Sequence, residues 1–214
     1  MNKKFLIIGV VAIALIAFIV WLFIESSKPL SGTKITDLGR KHVPGGEKVD
    51  YNSNPPTSGA HDENWIRSGV YSLPQDDKKL VHSLEHGYVI MSYNCGYKGK
   101  SGQGELIREV YAHGIEEASS SAEATSSGTL SAIFKSAECH KLVDQLIAIY
   151  EKRGKIRLIV VPRPNLDSKI ALTAWDYLDK FDSSTGSGLT VSEIDRIEKF
   201  IDTHLNQGPE KTME

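Results

Sequence analysis

The run His82-Ser83-Leu84-Glu85-His86 holds two imidazoles and a carboxylate within one short segment. Side chains four residues apart share a face in a helix and also in a strand, so His82 and His86 point together in either conformation. His61 follows the turn Asn54-Pro55-Pro56-Thr57-Ser58-Gly59, and His42 opens the run His42-Val43-Pro44-Gly45-Gly46. Pro fixes φ and Gly permits positive φ, so both loops carry their histidines on defined, non-helical paths. Loops fixed in this way beside a strand end are a common means of presenting a site. Imidazole is the commonest side-chain ligand of zinc, copper, nickel and iron, and such a site needs three or four donors. The expected ligands are His61, His82, His86 and His42. Glu85 is expected as a fourth donor or as a hydrogen-bond partner that holds the N–H of a ligating imidazole. Imidazole donors favour copper or zinc over magnesium or calcium.

Two other readings compete. The histidines could hydrogen-bond the Pro-rich loop onto the sheet of a structural or interaction module that binds no metal. Alternatively, His82-Ser83-Leu84-Glu85-His86 fits the H-x-x-E-H pattern of inverzincin hydrolases, with Glu85 as general base. That motif needs a sizeable helix, whereas Gly87 and the β-rich Tyr88-Val89-Ile90-Met91-Ser92-Tyr93 allow only a short one, about 76–86, capped by Gly87. No C-x-x-C, G-x-S-x-G or phosphate-binding loop occurs, so no catalytic residue is assigned. His140 and His204 read as ordinary surface or hydrogen-bonded residues, and Met91 as core.

The elements that must carry these residues follow from periodicity. Residues 87–93 read as a strand. Glu138 to Arg153 has apolar residues at helical spacing, with Gly154 as a stop. Residues 155–161 form a strand ended by Pro162, and 170–175 a second strand, expected to pair with it through a turn at Pro164-Asn165. A last helix covers about 191–205, with Thr190 or Ser192 as its cap. The order β-α-β-β-α predicts an α+β domain, a small mixed or antiparallel sheet with helices packed on it. Residues 96–136 are Gly- and Ser-rich and read as an insertion.

Phe5 to Ile24 is an uncharged run of twenty residues. As a helix it spans about the 30 Å hydrocarbon core of a bilayer. The run is longer than a signal-peptide core and ends in bulky residues, so an uncleaved anchor is expected. Lys3 and Lys4 precede it, which predicts a cytoplasmic stub at 1–4 and export of everything after residue 24. Residues 25–41 read as a linker and 42–210 as one extracytoplasmic domain, with the lipid bilayer as the partner of residues 5–24. The net charge of −2 gives no basic footprint for nucleic acid. No pattern names a protein partner. Cys95 and Cys139 are the two cysteines; outside the cytoplasm a disulfide persists, and buried thiols remain the alternative.

Asn54–His61 and Val81-His82-Ser83-Leu84-Glu85-His86-Gly87-Tyr88-Val89, with Ile170–Trp175 and the tail Phe200–Glu210, resemble the bacterial domain-of-unknown-function family 3105. The likeness covers about His42 to Glu210. It implies an N-terminal anchor with an exported domain, and it favours His42, His61, His82, Glu85 and His86 as one constellation. In many members the region matching Gly96–Ser136 is much shorter, which brings a Cys after the first strand close to a Cys at the start of the next helix. The resemblance thus implies a Cys95–Cys139 disulfide, contributing roughly 3–4 kcal/mol in the chain-entropy picture.

Overall fold

Val89–Tyr93 (β3) is the centre of a six-stranded sheet ordered β1-β6-β5-β3-β4-β2, where β1 is Thr33–Lys34, β2 Gly69–Val70, β4 Leu158–Pro162, β5 Ile170–Ala174 and β6 Tyr177–Phe181. The computed structural model describes residues 12–21, 31–97, 99, 132–185 and 188–210. All five residues of β3, β4 and β5 are buried, which explains why they read as continuous apolar runs without alternation. β3 and β4 are parallel, with Val89 opposite Leu158, and the helix Ala137–Lys152 (α2) supplies the long crossover that parallel pairing requires. β5 lies antiparallel to β3 on its other side, and β6 returns beside β5 as a hairpin.

The strands at 158–162 and 170–174 therefore do not pair with each other as expected; β3 lies between them. The cause is Asn94, at the end of β3. Its side-chain amide donates to the carbonyls of Pro164 and Leu166, and its backbone N–H to Lys169. These bonds wrap the Pro164 loop over the end of β3 instead of closing a hairpin. β6 has no alternating or continuous apolar pattern that marks it as a strand. Its Asp179 and Lys180 pair with Arg196 and Asp167, so charged positions interrupt the apolar pattern.

The sheet is covered on both faces. On one, α2 buries Cys139, Leu142, Leu146 and Ile149, and Val191–His204 (α3) buries Ile197, Phe200 and Ile201, all against Val89, Met91, Leu158, Val160 and Leu172. A side-chain and backbone capping box between Thr190 and Glu193 starts α3. On the other face the short helix Asp77–Glu85 (α1) packs Leu80, Val81 and Leu84 with Tyr88, Ile90, Ile159, Val161 and Trp175. Cys95 and Cys139 form a disulfide with Cα atoms 5.5 Å apart.

Two compact units divide the chain, residues 1–31 and 32–214. The second begins ahead of residue 42: β1 lies inside the segment read as a linker and pairs with β6. In the first, residues 12–21 are helical. No helix among the described residues is long and apolar enough to cross a membrane; residues 5–11 and 22–24 of the expected anchor, and most of the expected insertion, lie outside the described residues.

Candidate metal centre

α1 begins where the Asp76 carboxylate accepts the Lys78 N–H at 2.8 Å and ends at Gly87, whose φ is +80°. This places His82 and Glu85, three residues apart, on one face of its last turn. Arg163 clamps the first turn by a two-pronged ion pair to Asp77.

Two loop segments bring the remaining donors. Residues 39–43 and 59–61 run side by side, with the Gly59 N–H bonded to the Gly39 carbonyl, His61 N–H to Lys41, and Val43 N–H to His61. Strand-like pairing sets His42 directly beside His61. Gly59 has φ +121° and lies against the Tyr51 ring, where a side chain would crowd, and the Tyr51 hydroxyl donates to the Ala60 carbonyl. The following loop is latched to α1 by Ser83, whose hydroxyl donates to the Ile66 carbonyl and accepts the Ile66 N–H.

The imidazoles of His42, His61 and His82 form a near-equilateral triangle, with ring centroids 4.8, 4.9 and 5.0 Å apart. Glu85 closes the set. Its Oε2 is 2.9 Å from His61 Nε2 and 4.0 Å from His42 Nε2. His61, His82 and Glu85 are buried, whereas His42 is exposed. One donor atom from each of the four residues lies within 4.8 Å of the others.

Backbone carbonyls set the tautomers. His61 Nδ1–H donates to the Gly59 carbonyl at 2.8 Å, and His82 Nδ1–H to the Asp62 carbonyl at 2.7 Å. A carbonyl can only accept, so each ring carries its proton on Nδ1 when neutral and turns the Nε2 lone pair inward. Burial, reinforced by the neighbouring His86 and His61, pushes the His82 imidazole below its usual range despite the Asp62 bond. That favours the neutral form, which is the one that coordinates a metal. His61 Nε2 and Glu85 Oε2 are both buried and neither makes an aligned hydrogen bond, although they stand 2.9 Å apart. Two metal–ligand bonds of about 2.05 Å separate their donors by about 2.9 Å at a right angle, as in tetragonal copper, and by about 3.3 Å at the tetrahedral angle of zinc.

His86 takes a different place. Its ring stacks on His82 at 4.7 Å on the side of Trp65, and it forms a second group with His82 and Glu210. The sequence pattern favours His86 in the main set, with Glu85 as a fourth donor or an outer hydrogen-bond partner; the structure groups Glu85 with His42, His61 and His82. Two charged residues near the site were missed. Arg40 Nη1 is 3.7 Å from Glu85 Oε1, and Glu210 arrives from the far end of the chain. No spacing pattern links either to the histidine run. His204 is packed between the Tyr177 and Phe200 rings, and His140 is exposed.

A family model described as protein of unknown function (DUF3105) matches residues 42–132 and 108–214. The chain belongs to this family. No curated protein and no solved structure matches it. In this DUF3105 domain the residues of His82-Ser83-Leu84-Glu85-His86-Gly87 divide several tasks among them. His82 and Glu85 face the loops, Ser83 latches the chain at Ile66, and Leu84 is buried in the core. Gly87 lets the C-terminal tail approach, since a Cβ there would stand 2.8 Å from the Asn206 Cα.

Proposed function

We propose that this DUF3105 domain binds a single transition-metal ion, copper or zinc, through His42, His61, His82 and Glu85, and presents it outside the cytoplasm. The observation that carries the reading is the pairing of His61 Nε2 with Glu85 Oε2 at 2.9 Å, both buried and neither in an aligned hydrogen bond. An unprotonated His61 Nε2 and a carboxylate oxygen repel at that separation, and a metal ion lying against both relieves the repulsion, as a proton on His61 does where no metal is bound. Three imidazoles with one carboxylate suit zinc or copper, and a soft cysteine or methionine donor is absent from the set. A small inward shift of the exposed His42 ring completes the set around one ion. The external location is supported by the uncharged stretch Phe5–Ile24 behind Lys3 and Lys4 and by a disulfide of the kind that persists in oxidising compartments.

The test is metal content. Full-length protein purified in detergent and exposed in turn to Zn(II), Cu(II) and Cu(I) should retain one equivalent of at least one ion after desalting. A folded His61→Ala/His82→Ala variant should lose it. Wild-type protein that stays metal-free in all three exposures would instead make the His61–Glu85 contact an ordinary buried ion pair fastening the loop to α1. Protease added to intact cells should digest the domain; full protection would place it inside.

A further inference from the structure

A second donor group shares His82 with the first. Its members are His82, His86 and Glu210, with one donor atom each within 4.8 Å of the others. His82 and His86 are buried and Glu210 is exposed. The position of Glu210 is not left to a loose tail. Its backbone N–H donates to the Glu85 carbonyl, and the Asn206 N–H donates to the Gly87 carbonyl. Gly208 sits so close that a Cβ would fall 2.2 Å from the Glu85 carbonyl oxygen. The His86 carbonyl in turn accepts from Arg157 Nη1 at 2.8 Å. The last residues of the domain are thus bound to the same helical turn that carries His82 and Glu85.

His82 belongs to both groups but has one nitrogen to give, because its Nδ1–H is committed to the Asp62 carbonyl. One imidazole nitrogen binds one metal ion. Resting on the metal-binding reading above, we infer that the ion has a second position, formed by His82, His86 and Glu210, which shares His82 with the first and cannot be filled at the same time. The four-donor position is the holding site and the three-donor position the transit site. An ion passes between them by ligand exchange: the His82–metal bond is kept, His42, His61 and Glu85 are released, and His86, Glu210 and solvent take their place. No electron moves and no covalent bond within the protein changes. Each position has one exposed donor, His42 in the first and Glu210 in the second, so an ion taken up through one can leave through the other.

Zinc and Cu(II) binding to full-length protein in detergent, with Cu(II) followed by electron paramagnetic resonance, tests this. Wild type should bind one equivalent and no more. Glu85→Gln/His42→Ala should still bind one equivalent, on the order of 10–100-fold more weakly, with a changed Cu(II) spectrum. Adding Glu210→Ala to that variant should abolish the remaining binding. Glu210→Ala alone should slow release of zinc to an added chelator several-fold. Two equivalents bound at once in wild type would overturn the inference. So would residual binding in the double variant, or a chelator-release rate, indifferent to Glu210. Absence of metal from wild type itself would instead remove the reading on which the inference rests.

Discussion

His61 Nε2 and Glu85 Oε2 lie 2.9 Å apart inside the protein, both buried and neither aligned for a hydrogen bond. Their backbones come from unrelated parts of the chain, a Pro-rich loop and the last turn of α1. Glu85→Gln keeps the shape but removes the charge that balances a bound cation. It should weaken metal binding by on the order of 10–100-fold or more, as should His61→Ala. His140→Ala, on the exposed face of α2, should leave binding unchanged. Competition against a chromophoric chelator measures all three, and equal affinities across the set would sink the ligand assignment.

Gly208→Ala should disturb the tail without touching a donor. Its Cβ would meet Glu85 O at 2.2 Å and Gly87 N at 2.3 Å, both of them backbone atoms that cannot swing aside. The expected loss is about 1–3 kcal/mol of stability, the usual range for forced overpacking. Denaturant unfolding reads it directly, and an unchanged midpoint would show that the tail does not pack on α1 in solution.

Reducing Cys95–Cys139, or replacing both by Ser, should destabilise the domain by about 3–4 kcal/mol for a bridge of this sequence separation. The bridge ties the end of β3 to α2, on the sheet face away from α1. Metal affinity of the reduced but folded protein should therefore be unchanged. A parallel loss of affinity would couple two faces that the packing keeps separate.

Glu193 links α3 to pH. Burial pushes its carboxyl upward, but bonds from the Thr190 and Ser184 N–H groups outweigh it and hold the group below the ordinary range. The unfolded chain then takes up the proton first as pH falls, so this stabilisation is present at neutral pH and lost on acidification through the folded-state value. Glu193→Gln should cost about 1 kcal/mol at pH 7, a difference that shrinks in strong acid. Paired denaturation curves at both pH values check this, and a difference that grew with acidity would reverse the sign.

Much of this was legible in the sequence. Leu158–Pro162 and Ile170–Ala174 announce themselves as buried strands, and the spacing of Leu142, Leu146 and Ile149 marks α2. The pairing of the strands was not legible, because it depends on Asn94 capturing the carbonyls of a loop far along the chain. The histidines were visible as a group for their residue type and fixed loops. Which of them converge was decided by the loop pairing at His42 and His61 and by the exit direction of α1. Spacing alone put His82 with His86. The helix indeed stacks their rings, but Glu85, a turn of phase away, is the residue that meets His61. Glu210 and Arg40 carry no local signal, since tertiary contacts alone bring them to the site.

The most direct measurement is anomalous diffraction at the metal absorption edge from crystals of the zinc- or copper-loaded protein. The account predicts one dominant peak within about 2.0–2.2 Å of Nε2 of His61 and His82 and of Oε2 of Glu85, with the His42 ring drawn in as the fourth donor. A loaded crystal with no peak between these residues, or with its peak elsewhere on the surface, would contradict it.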